Sequence, residues 1–314
     1  MSIPLIVTLS VLGALLLVII TLLFTANFIL YKSTNNKQLK KQISSWEEPT
    51  EGFLSQQDSD WFFDKNNFRK ITIVACDKKN ISAYFHETQS HLYIVYAHGY
   101  GGNPNEKTKV LHELNKHYGC NVLILEQRGQ NDSKIKYLTM GIKEGSDLSL
   151  WCSYLVNIDS NAKIIIYGQS MGAATVMSAP LYGLNKNVIG AIEDCGYIDL
   201  INQFSFSGKG YAPKPLLKIV SFLMCVCYLF HGANPFKYSP KKGLEKMSIP
   251  LLAIHGEKDQ VVEYRNFIEI DKFINKNISI TKHSFPTAEH AMSVYVDSDR
   301  YMNALFTFID TNNK

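Results

Sequence analysis

Ile164-Ile165-Ile166-Tyr167-Gly168-Gln169-Ser170-Met171-Gly172-Ala173-Ala174 is a short apolar run that breaks at a glycine, presents one serine and resumes in small residues. β-Branched side chains favour an extended backbone, and the small residues after Ser170 suit a closely packed helix, so the stretch predicts strand, sharp turn, helix. A serine at the apex of such a turn sits in a strained conformation. Gly168 and Gly172 remove the β-carbons that would collide beside it. Ser170 is therefore the candidate nucleophile. The apex also lies at a helix N-terminus, where backbone N–H groups and the helix dipole favour the negative charge that develops in acyl transfer. A G-x-S-x-G string in isolation is equally compatible with a glycine-rich helix start that merely packs closely, so its surroundings decide.

On the N-terminal side, Leu92 to Ala97 is a continuous apolar run, as expected of a central strand buried on both faces. It ends at His98-Gly99-Tyr100-Gly101-Gly102, where Gly99 and its neighbours let the backbone approach a ligand, and a helix is expected from about Asn105 to His117. The second oxyanion donor belongs in this loop. We assign it to the backbone N–H of Tyr100, with that of Met171 as the first donor. Ile71 to Cys76 and Ile81 to His86 alternate apolar and polar residues around Asp77-Lys78-Lys79-Asn80 and predict a hairpin. Asn121 to Leu125 is a further strand, followed by the polar loop Glu126 to Ser133 and a helical pattern over Glu144 to Val156.

On the C-terminal side, Val188 to Ile192 predicts a strand ending at Glu193-Asp194-Cys195-Gly196, and Leu251 to Ile254 another, ending at His255-Gly256-Glu257-Lys258-Asp259. An acid in a turn just past a strand, before a helix at about Tyr264 to Asn275, can orient an imidazole, and Asp259 takes that place. Ile278 to His283 is the last expected strand. His290 lies after it and before the final helix, and is the candidate base. Strands alternating with helices imply right-handed crossovers and a mostly parallel central sheet covered by helices on both faces, with its ligand site at the carboxyl ends of the strands.

Residues 197 to 245 break the alternation. Leu216 to Phe230 is apolar nearly all round except for Lys218 and is too short for a membrane span, so it reads as a helical cap over the site, suited to an apolar acyl or alkyl group. The other reading is a helix that packs in the core or dips into a membrane surface.

The chain has 314 residues, 46% hydrophobic and 19% charged, which suits one large domain with an appendage. Ile3 to Leu30 carries no charge and is long enough as a helix to cross a bilayer. No Lys or Arg precedes it, it is too long for a signal core and no A-x-A site closes it, so an uncleaved anchor is expected. Lys32, Lys37, Lys40 and Lys41 account for the whole formal charge of +4, leaving residues 42 to 314 neutral. A neutral domain argues against nucleic acid as a partner, and the lysines suit anionic lipid heads. Their place after the helix favours a cytoplasmic catalytic domain, and the six cysteines agree weakly with that, while an exported, disulfide-bonded domain stays open. Cys76, Cys120 and Cys152 suit buried thiols, and apart from Cys225-Val226-Cys227 no cysteine pair has metal-site spacing. The expected organisation is an anchor at 1–31, a juxtamembrane linker at 32–67 and a catalytic domain at 68–314 with its cap at about 197–245.

The order Ser170, Asp259, His290 and the strand-elbow-helix setting resemble the α/β-hydrolase superfamily over about residues 68 to 312. Within it the chain looks most like the monoglyceride-lipase and serine-aminopeptidase-like branch, especially its membrane-anchored bacterial hydrolases. The matching stretches are His98 to Gly102, Gln127 to Ser133, Gly168 to Gly172, His255 to Asp259 and Glu289-His290. Two departures accompany them: the family usually has Asp where Glu126 stands, and Gly-His-Gly near Gly129-Gln130-Asn131. The resemblance implies an α/β-hydrolase fold and serine chemistry without a metal or organic cofactor. It does not choose among ester, thioester, amide and lipid substrates. A membrane-anchored hydrolase of carboxylic esters, small or lipid-like, is the leading expectation. A serine peptidase or acyltransferase of the same fold and a catalytically silent binding or scaffold protein are the alternatives, and the oligomeric state is not legible.

Overall fold

A computed structural model of the chain describes residues 3–35, 37, 60–62, 64, 67–102 and 107–314. Lys40, Lys41, most of the expected linker and the start of the helix expected at Asn105 lie outside the described residues. Eight strands form one sheet: β1 (Arg69–Val74), β2 (Asn80–His86), β3 (Leu92–Ala97), β4 (Asn121–Glu126), β5 (Lys163–Gln169), β6 (Val188–Asp194), β7 (Leu251–Gly256) and β8 (Ile280–Phe285). Their spatial order is β1-β2-β4-β3-β5-β6-β7-β8. β2 is antiparallel to both of its neighbours, and the pairs from β4 through β8 are parallel.

The described helices are α1 (Ile3–Thr34), α2 (Thr108–Tyr118), α3 (Ile142–Ile158), α4 (Met171–Ser178), α5 (Leu200–Ser207), α6 (Lys214–Phe230), α7 (Pro240–Lys246), α8 (Arg265–Phe273), α9 (Ser293–Val296) and α10 (Ser298–Asn312). β5 shows why its residues are so uniformly apolar. Successive side chains of a strand point to opposite faces. Ile164 and Ile166 pack with Leu148 and Trp151 of α3, while Ile165 and Tyr167 pack with Leu111 and Leu114 of α2 and Leu305 of α10. Each face is thus covered by helices, and each buried aliphatic side chain contributes roughly 1.5–3 kcal/mol relative to exposure.

β8 lies two residues beyond the expected Ile278 to His283, because Ile278 N–H closes a turn on the Asn275 carbonyl before the strand begins. β7 runs on to include His255 and Gly256.

α5 and α6 form the cap. Asp199 accepts the N–H of Asn202 and starts α5; Pro215 stands in the first turn of α6, where its missing N–H costs nothing. Met224, Cys225, Cys227 and Tyr228 of α6 are buried in one apolar cluster with Met171, Tyr197 and Val262, so the cap roofs the carboxyl ends of the strands. α1 runs past residue 31 to Thr34, and its Ala26 and Leu30 are buried in that same cluster. α1 is long and apolar enough to cross a membrane by length and composition. All six cysteines are free thiols.

Candidate active site

Ser170 stands between β5 and α4 with φ 54° and ψ −115°, in the region that disfavours a β-carbon. Neighbouring backbone over-determines this conformation. The Ser170 N–H donates to the Asp194 carbonyl (2.7 Å) and the Cys195 N–H to that of Ile254 (2.8 Å), which laces the turn to β6 and β7. A β-carbon on Gly168 would run into the Gly172 carbonyl, and one on Gly172 into that of Ala97. The two glycines therefore let the turn close on itself and press against the end of β3.

His290 reaches Ser170 from the loop after β8. Its Nε2 lies 2.9 Å from Ser170 Oγ, and its Nδ1 lies 2.7 Å from Asp259 Oδ2. A proton on Nδ1 that donates to Asp259 leaves the Nε2 lone pair facing the serine hydroxyl, the arrangement a general base requires. Asp259 is buried, and its Oδ1 accepts the N–H groups of Val261 and Val262, each at 2.8 Å. Burial alone would raise its pKa. The hydrogen bonds from His255 and His290 and the charge of His290 outweigh that and hold the carboxyl well below the usual range. Ser170, Asp259 and His290, far apart in sequence, are thus in direct contact.

The loop at the end of β3 is held from three sides. His98 donates through Nδ1 to the Gly99 carbonyl (2.9 Å), and its Nε2 faces the Gln127 N–H at 3.4 Å. The Gln127 amide donates to the His98 carbonyl. Gln130 accepts the N–H of Gly101 (2.6 Å), and Asn131 donates to the Gly102 carbonyl (3.0 Å). The stretch that departs from the family pattern at Glu126 and Gly129-Gln130-Asn131 is therefore the one that shapes the expected oxyanion loop. Tyr100 packs beside the cluster that contains Met171, the residue opening α4.

Three neighbours carry no sequence assignment. His255 Nε2 lies 3.2 Å from Asp259 Oδ2, four residues away across one turn. Cys195, at φ 54°, brings its sulfur within 4.8 Å of ligand atoms of Asp259 and His290, and burial pushes its thiol well above the ordinary value. Cys195, Asp259 and His290 have the donor types of a metal site, but His290 is already engaged by Asp259 on one nitrogen and by Ser170 on the other. Asp194, at the end of β6, is engaged elsewhere: it accepts the Tyr301 hydroxyl (2.7 Å) and faces Lys107 at 3.4 Å. A cavity of about 580 Å³ opens beside the cap, lined by Phe206, Leu217, Lys218, Arg265 and Phe273 among others, and none of the three contacting residues lines it.

No protein-family profile matches the chain. The uncharacterized protein YqkD of Bacillus subtilis is 26% identical over 311 residues, 96% of each chain. Among solved structures, the esterase Pf2001 of Pyrococcus furiosus superposes with a TM-score of 0.62 at 21% identity, covering 83% of this chain and 96% of its own. Mouse alpha/beta hydrolase domain-containing protein 10 gives 0.54 at 17% identity, covering 77% and 99%.

Proposed function

We propose that this chain, which has the α/β-hydrolase fold, is a membrane-anchored serine hydrolase that cleaves carboxylic esters of acyl or lipid-like substrates through an acyl-enzyme. The observation that carries this reading is the unbroken hydrogen-bond line from Ser170 Oγ through His290 to Asp259, with the serine on a strained elbow at a helix N-terminus.

In this reading His290 Nε2 takes the Ser170 proton as Oγ attacks the ester carbonyl, while Nδ1 keeps its proton and donates it in a hydrogen bond to Asp259, whose carboxylate stabilises the imidazolium. The developing oxyanion is received by the backbone N–H groups of Met171 and Tyr100. Collapse of the tetrahedral intermediate expels the alkoxide, which takes the proton from His290 and leaves as the alcohol. Water, deprotonated by the same imidazole, then attacks the acyl-enzyme and frees the acid and Ser170. No step asks for a metal or organic cofactor. The apolar underside of the cap suits an acyl chain. Membrane anchoring is supported by α1, whose most apolar stretch has a mean hydropathy of 2.9 and is not buried.

The test is a fluorophosphonate probe on the full-length protein, with the adduct located by mass spectrometry. Labelling at Ser170 that is lost in Ser170→Ala supports the reading. Absence of labelling in folded protein would point to a silent binding or scaffold protein instead.

A further inference from the structure

Residues 3–21 of α1 are exposed, whereas Ala26, Leu30 and Thr34 are buried. At about 1.5 Å per residue the exposed stretch is about 28 Å long, close to a hydrocarbon core of about 30 Å. The remaining turns are therefore not needed to cross the membrane. Their buried positions recur every four residues and so share one face of the helix. That face meets the cap: Ala26 and Leu30 pack in one cluster with Met224, Cys227 and Tyr228 of α6, and the Cys227 thiol points at the Leu23 carbonyl at 3.9 Å.

The last carbonyls of a helix have no partner within it, and those of a simple tether would be left to water. Here the loops bordering the site take them up. The Tyr100 hydroxyl donates to the Ser33 carbonyl (2.6 Å), the Leu138 N–H donates to that of Thr34 (3.1 Å), and Asn35 pairs with Tyr137. Burial pushes the Tyr100 phenol up to about 12, so it keeps its proton and remains a donor.

We propose that residues 22–34 of α1, with Asn35 after them, are a fixed part of the active-site roof, and that Tyr100 is a positioning residue whose hydroxyl ties the oxyanion loop to the end of the membrane helix. The proposal rests on the reading of Tyr100 N–H as an oxyanion donor. It makes the anchor a catalytic support as well as an attachment: the helix fixes a loop whose N–H must already point at the oxyanion when charge develops.

The experiment uses full-length protein in detergent micelles, with kcat normalised to active sites titrated by fluorophosphonate so that misfolded protein does not count. Tyr100→Phe keeps the ring and the backbone N–H and removes the hydroxyl that bonds Ser33. Its kcat on a p-nitrophenyl butyrate substrate should fall roughly tenfold, with KM within about twofold. Ala26→Phe, which wedges α1 off the cap, should lower kcat similarly, and Leu12→Phe in the exposed stretch should not. In a second measurement the intact protein carries a protease site after Ser44. Once cut, the α1 fragment should stay with the catalytic domain through gel filtration. Wild-type kcat in Tyr100→Phe, or release of the cut domain from the micelle, overturns the proposal. Ser170→Ala runs beside them: if it stays active the triad reading itself has failed, whereas an inactive Ser170→Ala with an unaffected Tyr100→Phe sinks only the role given to the anchor.

Discussion

One oxygen of Asp259 is shared by two imidazoles: His255 Nε2 lies 3.2 Å from Oδ2, on which His290 Nδ1 also converges at 2.7 Å. His255 is wholly buried. Burial alone would lower its pKa, but the bond to Asp259 and the charge of Glu193 raise it above the ordinary histidine value. His255 therefore helps fix the carboxylate that His290 Nδ1 faces. His255→Ala should lower kcat about tenfold and cost about 2 kcal/mol of stability, while leaving Asp259 its two backbone N–H partners. A folded His255→Ala with wild-type kcat would confine this residue to stability.

The elbow glycines should be intolerant of even a methyl group. Gly172→Ala drives a β-carbon into the Ala97 carbonyl, and Gly168→Ala drives one into that of Gly172; neither obstacle is a side chain that can swing away. Each should cost at least about 3 kcal/mol or abolish folding, because backbone must move. Gly183→Ala meets no atom within 4 Å and has only its φ of +80° against it, so about 1 kcal/mol is expected there. Thermal midpoints of the three variants check the ranking.

His98 gives a pH dependence with a definite sign. Burial holds its pKa down at about 4, against about 6.5 for a free imidazole. The folded value lies below the unfolded one, so its contribution is complete above about pH 6.5 and is lost as pH falls toward 4, a span of about 3 kcal/mol. Glu193, raised to about 7 by burial, acts in the opposite sense between about 4.5 and 7, so the difference between variant and wild type is what counts. The drop in thermal midpoint between pH 7 and 4.5 should be shallower in His98→Asn than in wild type. Equal slopes would contradict a neutral buried His98.

The strands and the elbow were readable because each depends on local pattern. β3 and β5 are continuous apolar runs buried on both faces, and the turn at Ser170 needs its flanking glycines. Asp259 and His290 could be placed by position after their strands. The signal for His255 is its spacing of four residues from Asp259, which puts both on one turn. Cys195 and the bond from Tyr100 to Ser33 had none, because they depend on how distant segments pack. The seating of α1 on the cap was hidden for another reason. A helix apolar all round shows no stripe, so the buried face at Ala26, Leu30 and Thr34 does not stand out from its exposed neighbours.

The cap should govern chain-length preference. Met224 is buried in the cluster that includes Met171, beneath the roof an acyl chain would meet. Met224→Trp overfills that packed cluster and pushes the cap toward the site, and should reduce kcat/KM for a decanoate ester at least about tenfold more than for an acetate ester. Equal losses on the two esters would make this part of the cap purely structural.

The triad should fail as a unit. With Ser170 Oγ 2.9 Å from His290 Nε2, and His290 Nδ1 2.7 Å from Asp259, removing nucleophile or base alone should cost as much as removing all three. The most direct measurement is esterase kcat for full-length Ser170→Ala, His290→Ala and the triple alanine variant, each beside its thermal midpoint. The three should lie within about tenfold of one another and roughly 10⁶ below wild type, with midpoints near the wild-type value for Ser170→Ala. A folded Ser170→Ala that keeps more than about a tenth of wild-type kcat would contradict the assignment of Ser170 as nucleophile, on the tenfold scale of a single ordinary contact.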